Sequence, residues 1–144
     1  MQTGIKVGDC MKTSLVTIAG EAPVFEAAVL MRDKKVGSLL VKNGNKIDAI
    51  ASERDLVVKA LAVKKCDLRV KDVSSKPLIS VSSEADLSEA AKRMGDNDVK
   101  RLVVTEGGKI VGILSQKDII RISPSLYDLI AERSSVEAPA GLPR

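Results

Sequence analysis

The chain has 144 residues, of which 44% are hydrophobic and 29% are charged but only 1% are aromatic, and its formal net charge is +4. That hydrophobic fraction suffices for one compact unit or for two small halves with a shared core, and the mildly positive charge suits an anionic ligand. The chain contains no histidine, and its two cysteines, Cys10 and Cys66, are far apart, which argues against a structural zinc site and against histidine-based catalysis.

The first residues predict an N-terminal arm without a secretion signal. Residues 1–4 lack the apolar run of a signal peptide, and no apolar stretch of the chain approaches the roughly 20 residues that span a bilayer. We therefore expect a cytoplasmic protein. Within the arm, residues 1–14, Val7 and Met11 are the expected anchors.

The next part of the chain predicts the order strand, helix, strand, strand, helix. The strands are expected at residues 15–18, 36–41 and 47–51, with a tight turn at 43–45. Pro23 suits the first turn of the first helix, and Ser52 begins the second. The apolar residues of the first helix follow the spacing of one buried face, and they are Val24, Ala27, Ala28 and Met31.

The second half predicts the same order again. Its strands are expected at residues 78–81, 99–105 and 110–114. Ser83 followed by Asp86 resembles a capping box at the start of the first helix, and Ser115 begins the second. Residues 124–134 predict a further C-terminal helix, and the aperiodic tail at 135–144 is expected to be disordered. The apolar face of the first helix is formed by Leu87, Ala90, Ala91 and Met94.

These two halves are copies of each other. A shift of 63 positions places residues 7–58 on residues 70–121 without a gap, and more than a third of the paired residues are identical. A tandem repeat predicts two similar half-domains and therefore two related clefts. The identical pairs include Ser52 with Ser115 and Asp55 with Asp118.

Each copy passes from its last strand into the following helix through Ser-x-x-Asp, with a basic residue before the aspartate. One interpretation is structural, because this pattern is also a helix N-terminal cap followed by an acid near the positive end of the helix dipole. The other interpretation is a nucleoside phosphate site. An ionised aspartate accepts hydrogen bonds from two ribose hydroxyls, while the serine, the helix amides and the basic residue can bind phosphate.

The duplicated unit resembles the cystathionine-β-synthase (CBS) domain. The second copy carries that family's Gly-hydrophobic-hydrophobic-Ser/Thr-x-x-Asp signature at Gly112–Asp118, the first copy carries a variant at Ser52–Leu56, and the strand 99–104 is typical of the family. The resemblance implies an α+β fold, an α/β sandwich of two pseudo-twofold related β-α-β-β-α repeats packed sheet to sheet. The repeats are expected at residues 5–63 and 68–123.

The resemblance also implies an adenosine-containing ligand in the clefts: AMP, ADP, ATP or S-adenosylmethionine. The aspartates then hold the ribose hydroxyls, the serines contact ribose or phosphate, and the first strand of each repeat offers backbone groups and an apolar wall to adenine. Lys100 and Arg101 are the expected phosphate partners, although the same two residues can equally be a solvated strand end. Arg54 and Lys117 are the alternative phosphate partners. The expected ligand-binding residues are Thr17, Ser52, Arg54, Asp55, Ser80, Lys100, Arg101, Gly112, Ile113, Ser115, Lys117 and Asp118.

The first copy departs from the family signature at one position. The signature glycine is Gly112 in the second copy but Ala49 in the first, where Asp48 precedes it. Glycine lets a ligand approach the backbone closely, and Asp48 repels phosphate. We therefore expect a narrower first cleft and a better site at Gly112–Asp118.

The expected function is a non-catalytic regulatory module that binds one of these ligands and signals to an unknown effector protein or through its own homodimer. It requires no metal, no cofactor and no membrane. One alternative is a structural or dimerisation module with empty clefts. Another is a weak nucleic-acid binder, which the positive charge favours and the scarcity of aromatic residues opposes. An enzyme is the least favoured interpretation, because the sequence offers no nucleophile with a partnering base.

Overall fold

Residues 2–133, which the computed structural model describes, contain two three-stranded sheets, one in each repeat. The chain divides into a first-repeat unit, Leu15–Leu78, and a second-repeat unit that joins the N-terminal arm to the chain from Ile79 onward. This mixture of sheets and helices is the predicted α+β class. The tail at 135–144, where disorder is expected, lies outside the described residues. Every helix within the described part of the chain is too short or too polar to cross a bilayer.

The first-repeat unit is built around a sheet in which the middle strand pairs in parallel with one neighbour and antiparallel with the other. Its turn between the second and third strands places Gly44 at φ +66°, a left-handed conformation that glycine adopts without strain. The elements are β1 (Thr17–Ala19), α1 (Val24–Lys34), β2 (Ser38–Asn43), β3 (Lys46–Ser52), α2 (Glu53–Leu56), a π-helical turn (Val57–Leu61) and α3 (Val70–Val73).

The second-repeat unit has the same sheet order and adds the C-terminal helix. Ser83 does not cap its first helix as predicted. Asp86 is the N-cap and accepts the Ser88 N–H at 2.9 Å, whereas the buried Ser83 donates its hydroxyl to Glu106 at 3.1 Å. The elements are a 3-10 turn (Val7–Asp9), β4 (Ser80–Ser82), α4 (Leu87–Asn97), β5 (Arg101–Glu106), β6 (Lys109–Ser115), α5 (Gln116–Ile122) and α6 (Leu126–Arg133).

Each repeat is completed by the arm that precedes the other repeat in the chain. The N-terminal arm belongs to the second-repeat unit, where the Val7 N–H donates to the Ala85 carbonyl at 2.9 Å. The connecting arm, residues 68–78, belongs to the first-repeat unit, where the Val70 N–H donates to the Ala22 carbonyl at 2.8 Å. These bonds are equivalent under the 63-residue shift, so the two arms dock in the same way.

The first helices of the two repeats are covered to different extents. All four predicted apolar residues of α4 are buried, but the prediction is wrong for Ala28 of α1, which is exposed. The reason is α6, which adds Leu126 and Ile130 to the core beneath α4. Gly95 of α4 permits this close approach, because a Cβ there would lie 2.8 Å from the Ile130 carbonyl oxygen.

Candidate functional site

Ser52 and Ser115 are the N-terminal caps of α2 and α5, and the aspartates three residues later complete the caps. The Asp118 N–H donates to Ser115 Oγ at 3.2 Å, and the Ser115 N–H donates to Asp118 Oδ2 at 3.0 Å. The matching bonds between Asp55 and Ser52 measure 3.2 Å and 2.9 Å. The structural interpretation of Ser-x-x-Asp is thus confirmed in both repeats, where the pattern forms a capping box.

The other carboxylate oxygen, Oδ1, pairs with cationic side chains. Arg121 Nη2 lies 2.8 Å from Asp118 Oδ1, and Lys12 Nζ lies 3.9 Å from it. The Asp118 side chain is only 1% exposed, whereas the Arg121 and Lys12 side chains are 67% and 65% exposed. Asp55 Oδ1 pairs with Lys59 Nζ at 2.9 Å. Long side chains that reach in from solvent therefore neutralise both buried charges.

These cationic partners were not predicted from the sequence. Arg121 and Lys59 lie three and four residues after their aspartates, the spacings at which side chains meet on a helix surface, so the spacing could have revealed them. Lys12 reaches Asp118 from the N-terminal arm, more than a hundred residues away in the chain, and no local pattern indicates that contact.

Lys100 and Arg101 lie beside the serine cap of the second repeat. Arg101 is paired in register with Ser115, and the Lys100 carbonyl accepts the Gln116 N–H at 2.8 Å. The same places in the first repeat are taken by Gly37 and Ser38, which are uncharged. The second repeat therefore brings more positive charge to its cap than the first.

The remaining predicted residues lie at different places around the two sheets. Arg54 and Lys117 are exposed on the first turns of α2 and α5. Thr17 is exposed on β1 and lines a cavity of about 300 Å³ near the end of the β2–β3 hairpin. Ser80 is half-buried on β4, and its carbonyl accepts Arg93 Nη1 at 2.8 Å. Of these residues, Arg54 and Lys117 directly precede the capping aspartates in the chain.

Gly112 and Ile113 face the N-terminal arm. Ile113 exchanges two backbone hydrogen bonds with Lys12, both at 2.9 Å. A Cβ on Gly112 would overlap Met11 Sδ and would lie 3.0 Å from the Lys12 carbonyl oxygen. Met11 therefore makes the close approach to this glycine that we expected from a ligand.

The equivalent positions of the first repeat give no reason to expect a narrower first cleft. Ala49 is buried, and Ser74, the repeat equivalent of the large Met11, is a much smaller residue. Asp48 accepts Asn43 Nδ2 at 2.7 Å and pairs with Lys76 at 3.3 Å. The hydrogen bond from Asn43, followed by the contact with Lys76, holds the pKa of Asp48 below its ordinary value, so the charge that we expected to repel phosphate is already partnered.

An apolar groove of about 490 Å³ lies between α1 and the π-helical turn of the first-repeat unit. Phe25 and Leu61 line it and are 70% and 62% exposed. Arg32 and Glu53 also line it, so the groove carries one charge of each sign. Arg32 of this groove is the repeat equivalent of Gly95, which α6 approaches closely in the second-repeat unit.

Comparison with known proteins relates this arrangement to one family. The family model of the CBS domain matches residues 7–61 and 70–125. The chain is a CBS-domain protein. The two matches span the strands β1–β6 and both capping aspartates, and each match begins in one of the two arms, whereas α6 follows the second match.

Relatives of this CBS-domain protein share its fold over most of its length. An uncharacterised protein of Methanopyrus kandleri is 31% identical over 132 residues, which cover 89% of this chain and 67% of that protein. The crystal structure of a CBS domain protein of unknown function from Thermoplasma acidophilum is 27% identical, with a TM-score of 0.79 over 90% of this chain and 75% of that one. A hexameric CBS-CP12 protein from bloom-forming cyanobacteria is 30% identical, with a TM-score of 0.74 over 81% and 66%.

Proposed function

We propose that this CBS-domain protein is a non-catalytic regulatory module of the cytoplasm that binds AMP, ADP, ATP or S-adenosylmethionine at the signature of its second repeat. The observation that carries the proposal is the environment of Asp118. Its carboxylate is buried, but Oδ1 is covered by the highly exposed side chains of Arg121 and Lys12. A ribose diol can replace such flexible partners, because it offers two hydroxyl donors to the same oxygen.

A phosphorylated ribose suits this site better than ribose alone. Displacement of Arg121 and Lys12 would leave two cations without their carboxylate, and a phosphate on the same ligand gives them a new partner. Lys100 and Arg101 add further positive charge beside the Ser115 cap. The exchange therefore conserves charge pairing, which keeps the cost of opening the site low.

The first repeat is the weaker site in this proposal. Asp55 Oδ1 is held by Lys59 at 2.9 Å, and the residues beside the Ser52 cap are the uncharged Gly37 and Ser38. A phosphate there finds fewer cations than it does beside Ser115. We expect two classes of affinity, with the tighter class at Asp118.

Signalling is proposed to use self-association through the apolar groove of the first-repeat unit. An isologous contact between two copies requires a self-complementary surface. Exposed apolar side chains at Phe25 and Leu61 support this proposal, as do the opposite charges of Arg32 and Glu53 on the groove wall. The hexameric cyanobacterial relative supports self-association as a property that this fold can have. An effector protein remains the other route for the signal.

A structural module with empty clefts is the second candidate, and one observation favours it. Both aspartates already complete capping boxes, and Met11 fills the space beside Gly112. In that case the signature residues stabilise the fold and need no ligand.

Titration of the wild-type protein separates the two candidates. AMP, ADP, ATP and S-adenosylmethionine are each added up to millimolar concentration, with adenosine and inorganic phosphate as controls, and the melting temperature and the heat of binding are measured. Binding to the native state must raise the melting temperature by an amount set by [L]/Kd. If the protein is a regulatory module, at least one phosphorylated adenosine or S-adenosylmethionine should raise the melting temperature, and neither control should do so. A flat response to all four ligands would favour the structural module.

A further inference from the structure

The two arms contact the capping aspartates at equivalent positions. Lys12 and Ser75 correspond under the 63-residue shift, and each forms a two-way backbone pair with the last strand of its unit, Lys12 with Ile113 and Ser75 with Ile50. The side chains of both residues then turn towards the aspartate. Lys12 Nζ lies 3.9 Å from Asp118 Oδ1, and Ser75 Oγ donates to Asp55 Oδ1 at 3.5 Å.

Lys59 strengthens this contact in the first-repeat unit. Its Nζ lies 2.9 Å from Asp55 Oδ1, 3.1 Å from the Val73 carbonyl oxygen and 3.4 Å from Ser75 Oγ. Two of these three partners belong to the connecting arm. The carboxylate of Asp55 therefore orients a lysine that holds the connecting arm in place.

Each arm continues directly into the first strand of the other repeat. The N-terminal arm leaves the second-repeat unit at Ser14, and the chain forms β1 from Thr17. The connecting arm leaves the first-repeat unit at Leu78, and the chain forms β4 from Ser80. A few residues of chain thus separate each aspartate contact from the strand that opens the opposite repeat.

We infer that the two aspartates are coupled crosswise, so that a change at one carboxylate alters the first strand of the other repeat through the arm. The inference rests on the proposed function, in which a ribose diol takes Oδ1 and displaces Lys12 from Asp118, or Lys59 and Ser75 from Asp55. The released arm then holds β1 or β4 less firmly. Because coupling between sites is reciprocal, ligand at either repeat weakens binding at the other.

Hydrogen exchange of the full-length protein tests the coupling without any ligand. The test variant is Lys59→Met combined with Ser75→Ala, which leaves the Ser52–Asp55 capping box in place. We expect several-fold faster amide exchange in the connecting arm and also in β4, which lies beyond the unit boundary. The matched control is Asp33→Asn, whose exposed carboxylate pairs with the neighbouring Arg32 at 2.9 Å, and it should leave β4 unchanged.

The reverse direction gives a second measurement. Lys12→Met removes the arm cation from Asp118 and should speed exchange in β1 by several-fold. If amide exchange becomes faster only in the unit that carries the substitution, in both variants, the coupling is overturned, whether or not nucleotides bind. Acceleration across the boundary together with a flat nucleotide titration would support the coupling and refute the proposed ligand instead, so the two ideas fail separately.

Discussion

Gly112 and Ala49 hold equivalent places in the two repeats, and Met11 of the N-terminal arm packs on the glycine. The residue of the connecting arm that corresponds to Met11 is the smaller Ser74. The signature glycine therefore has a packing role in this chain.

Gly112→Ala is expected to destabilise the protein. The added methyl would overlap Met11 Sδ, so the Met11 side chain must shift, and the methyl would also lie only 3.0 Å from the Lys12 carbonyl oxygen of the arm. Overpacking of this kind costs about 1–3 kcal/mol, which urea denaturation would detect. Met11→Ser in the Gly112→Ala background should restore part of the loss, because it recreates the combination found in the first repeat. A double variant less stable than Gly112→Ala alone would argue against compensation.

The residues of the candidate site differ in how far sequence could predict them. The capping role of Ser115 and Asp118 follows from their three-residue spacing at a helix start, which is local information. The contacts of Lys12 with Asp118 and of Met11 with Gly112 depend on where the N-terminal arm packs. Spacing within one segment carries no signal for such contacts, so these residues could not be predicted.

At the scale of elements, α6 covers α4 because Gly95 leaves room for it. A Cβ at this position would lie 2.5 Å from Arg133 Cβ. The equivalent residue of α1 is Arg32, which is exposed beside the open groove. A second copy of α6 could not dock on α1 in the same geometry, because the arginine side chain occupies the required space.

Gly95→Arg is expected to displace α6 from α4. The added side chain must enter space filled by the backbone of Ile130, and the burial of Leu126 and Ile130 would be lost. We expect a loss of several kcal/mol in the free energy of unfolding, as for other large steric changes in a core, measured by thermal and urea denaturation. Arg32→Ala at the equivalent exposed position is the control and should change the stability by less than about 0.5 kcal/mol. Equal effects of the two substitutions would contradict this account of α6.

Asp86 clamps the N-terminal arm to the start of α4, and the clamp should depend on pH. Its carboxylate accepts hydrogen bonds from the N–H groups of Thr3, Gly4 and Ser88 at 2.9–3.2 Å. The hydrogen bond from the Ser88 hydroxyl, together with these backbone bonds, holds the pKa of Asp86 far below its ordinary value. The clamp therefore contributes stability above the unfolded-state pKa of about 3.9 and loses it as the pH falls further towards the folded-state pKa.

The measurement compares the wild type with Asp86→Asn by urea denaturation at pH 7, 4 and 3. The wild type should be more stable at pH 7, and its advantage should shrink at pH 3. At pH 3 the wild type takes up a proton at this site when it unfolds, which favours the unfolded state, whereas the asparagine variant takes up none. An advantage that stays constant across this range would show that the charge of Asp86 does not contribute to the clamp.

At the scale of the whole molecule, the open groove of the first-repeat unit predicts how copies associate. Phe25→Glu places a negative charge on the most exposed apolar side chain that lines the groove, which Glu53 also lines. We expect sedimentation velocity to show an oligomer for the wild type and a monomer for this variant. Tyr127→Glu is the control, because Tyr127 is half-exposed on the second-repeat unit outside the groove. A wild type that is monomeric at high concentration, or an equal response of both variants, would contradict the proposed interface.

Much of the overall architecture could be predicted from sequence, because the spacing of apolar residues in helices and strands is local information and recurs in both repeats. The assignment of the arms could not be predicted. The 63-residue shift aligns the two arms with each other whether each arm packs on the repeat that follows it or on the other repeat. The self-match therefore does not show which repeat each arm contacts. The exposure of Ala28 was missed for a related reason, since it depends on a helix that covers one repeat and has no equivalent on the other.

We propose that Asp118 binds the ribose of an adenosine ligand in addition to capping α5. Calorimetric titration with the tightest of the four ligands tests it in Asp118→Ala, with Asp55→Ala as the matched control, since both variants lose the same capping bonds. We expect the dissociation constant of the tighter site to rise 10- to 100-fold in Asp118→Ala, a loss on the order of 1.5–3 kcal/mol, and to change much less in Asp55→Ala. An Asp118→Ala protein that remains folded and binds as tightly as the wild type would contradict the claim.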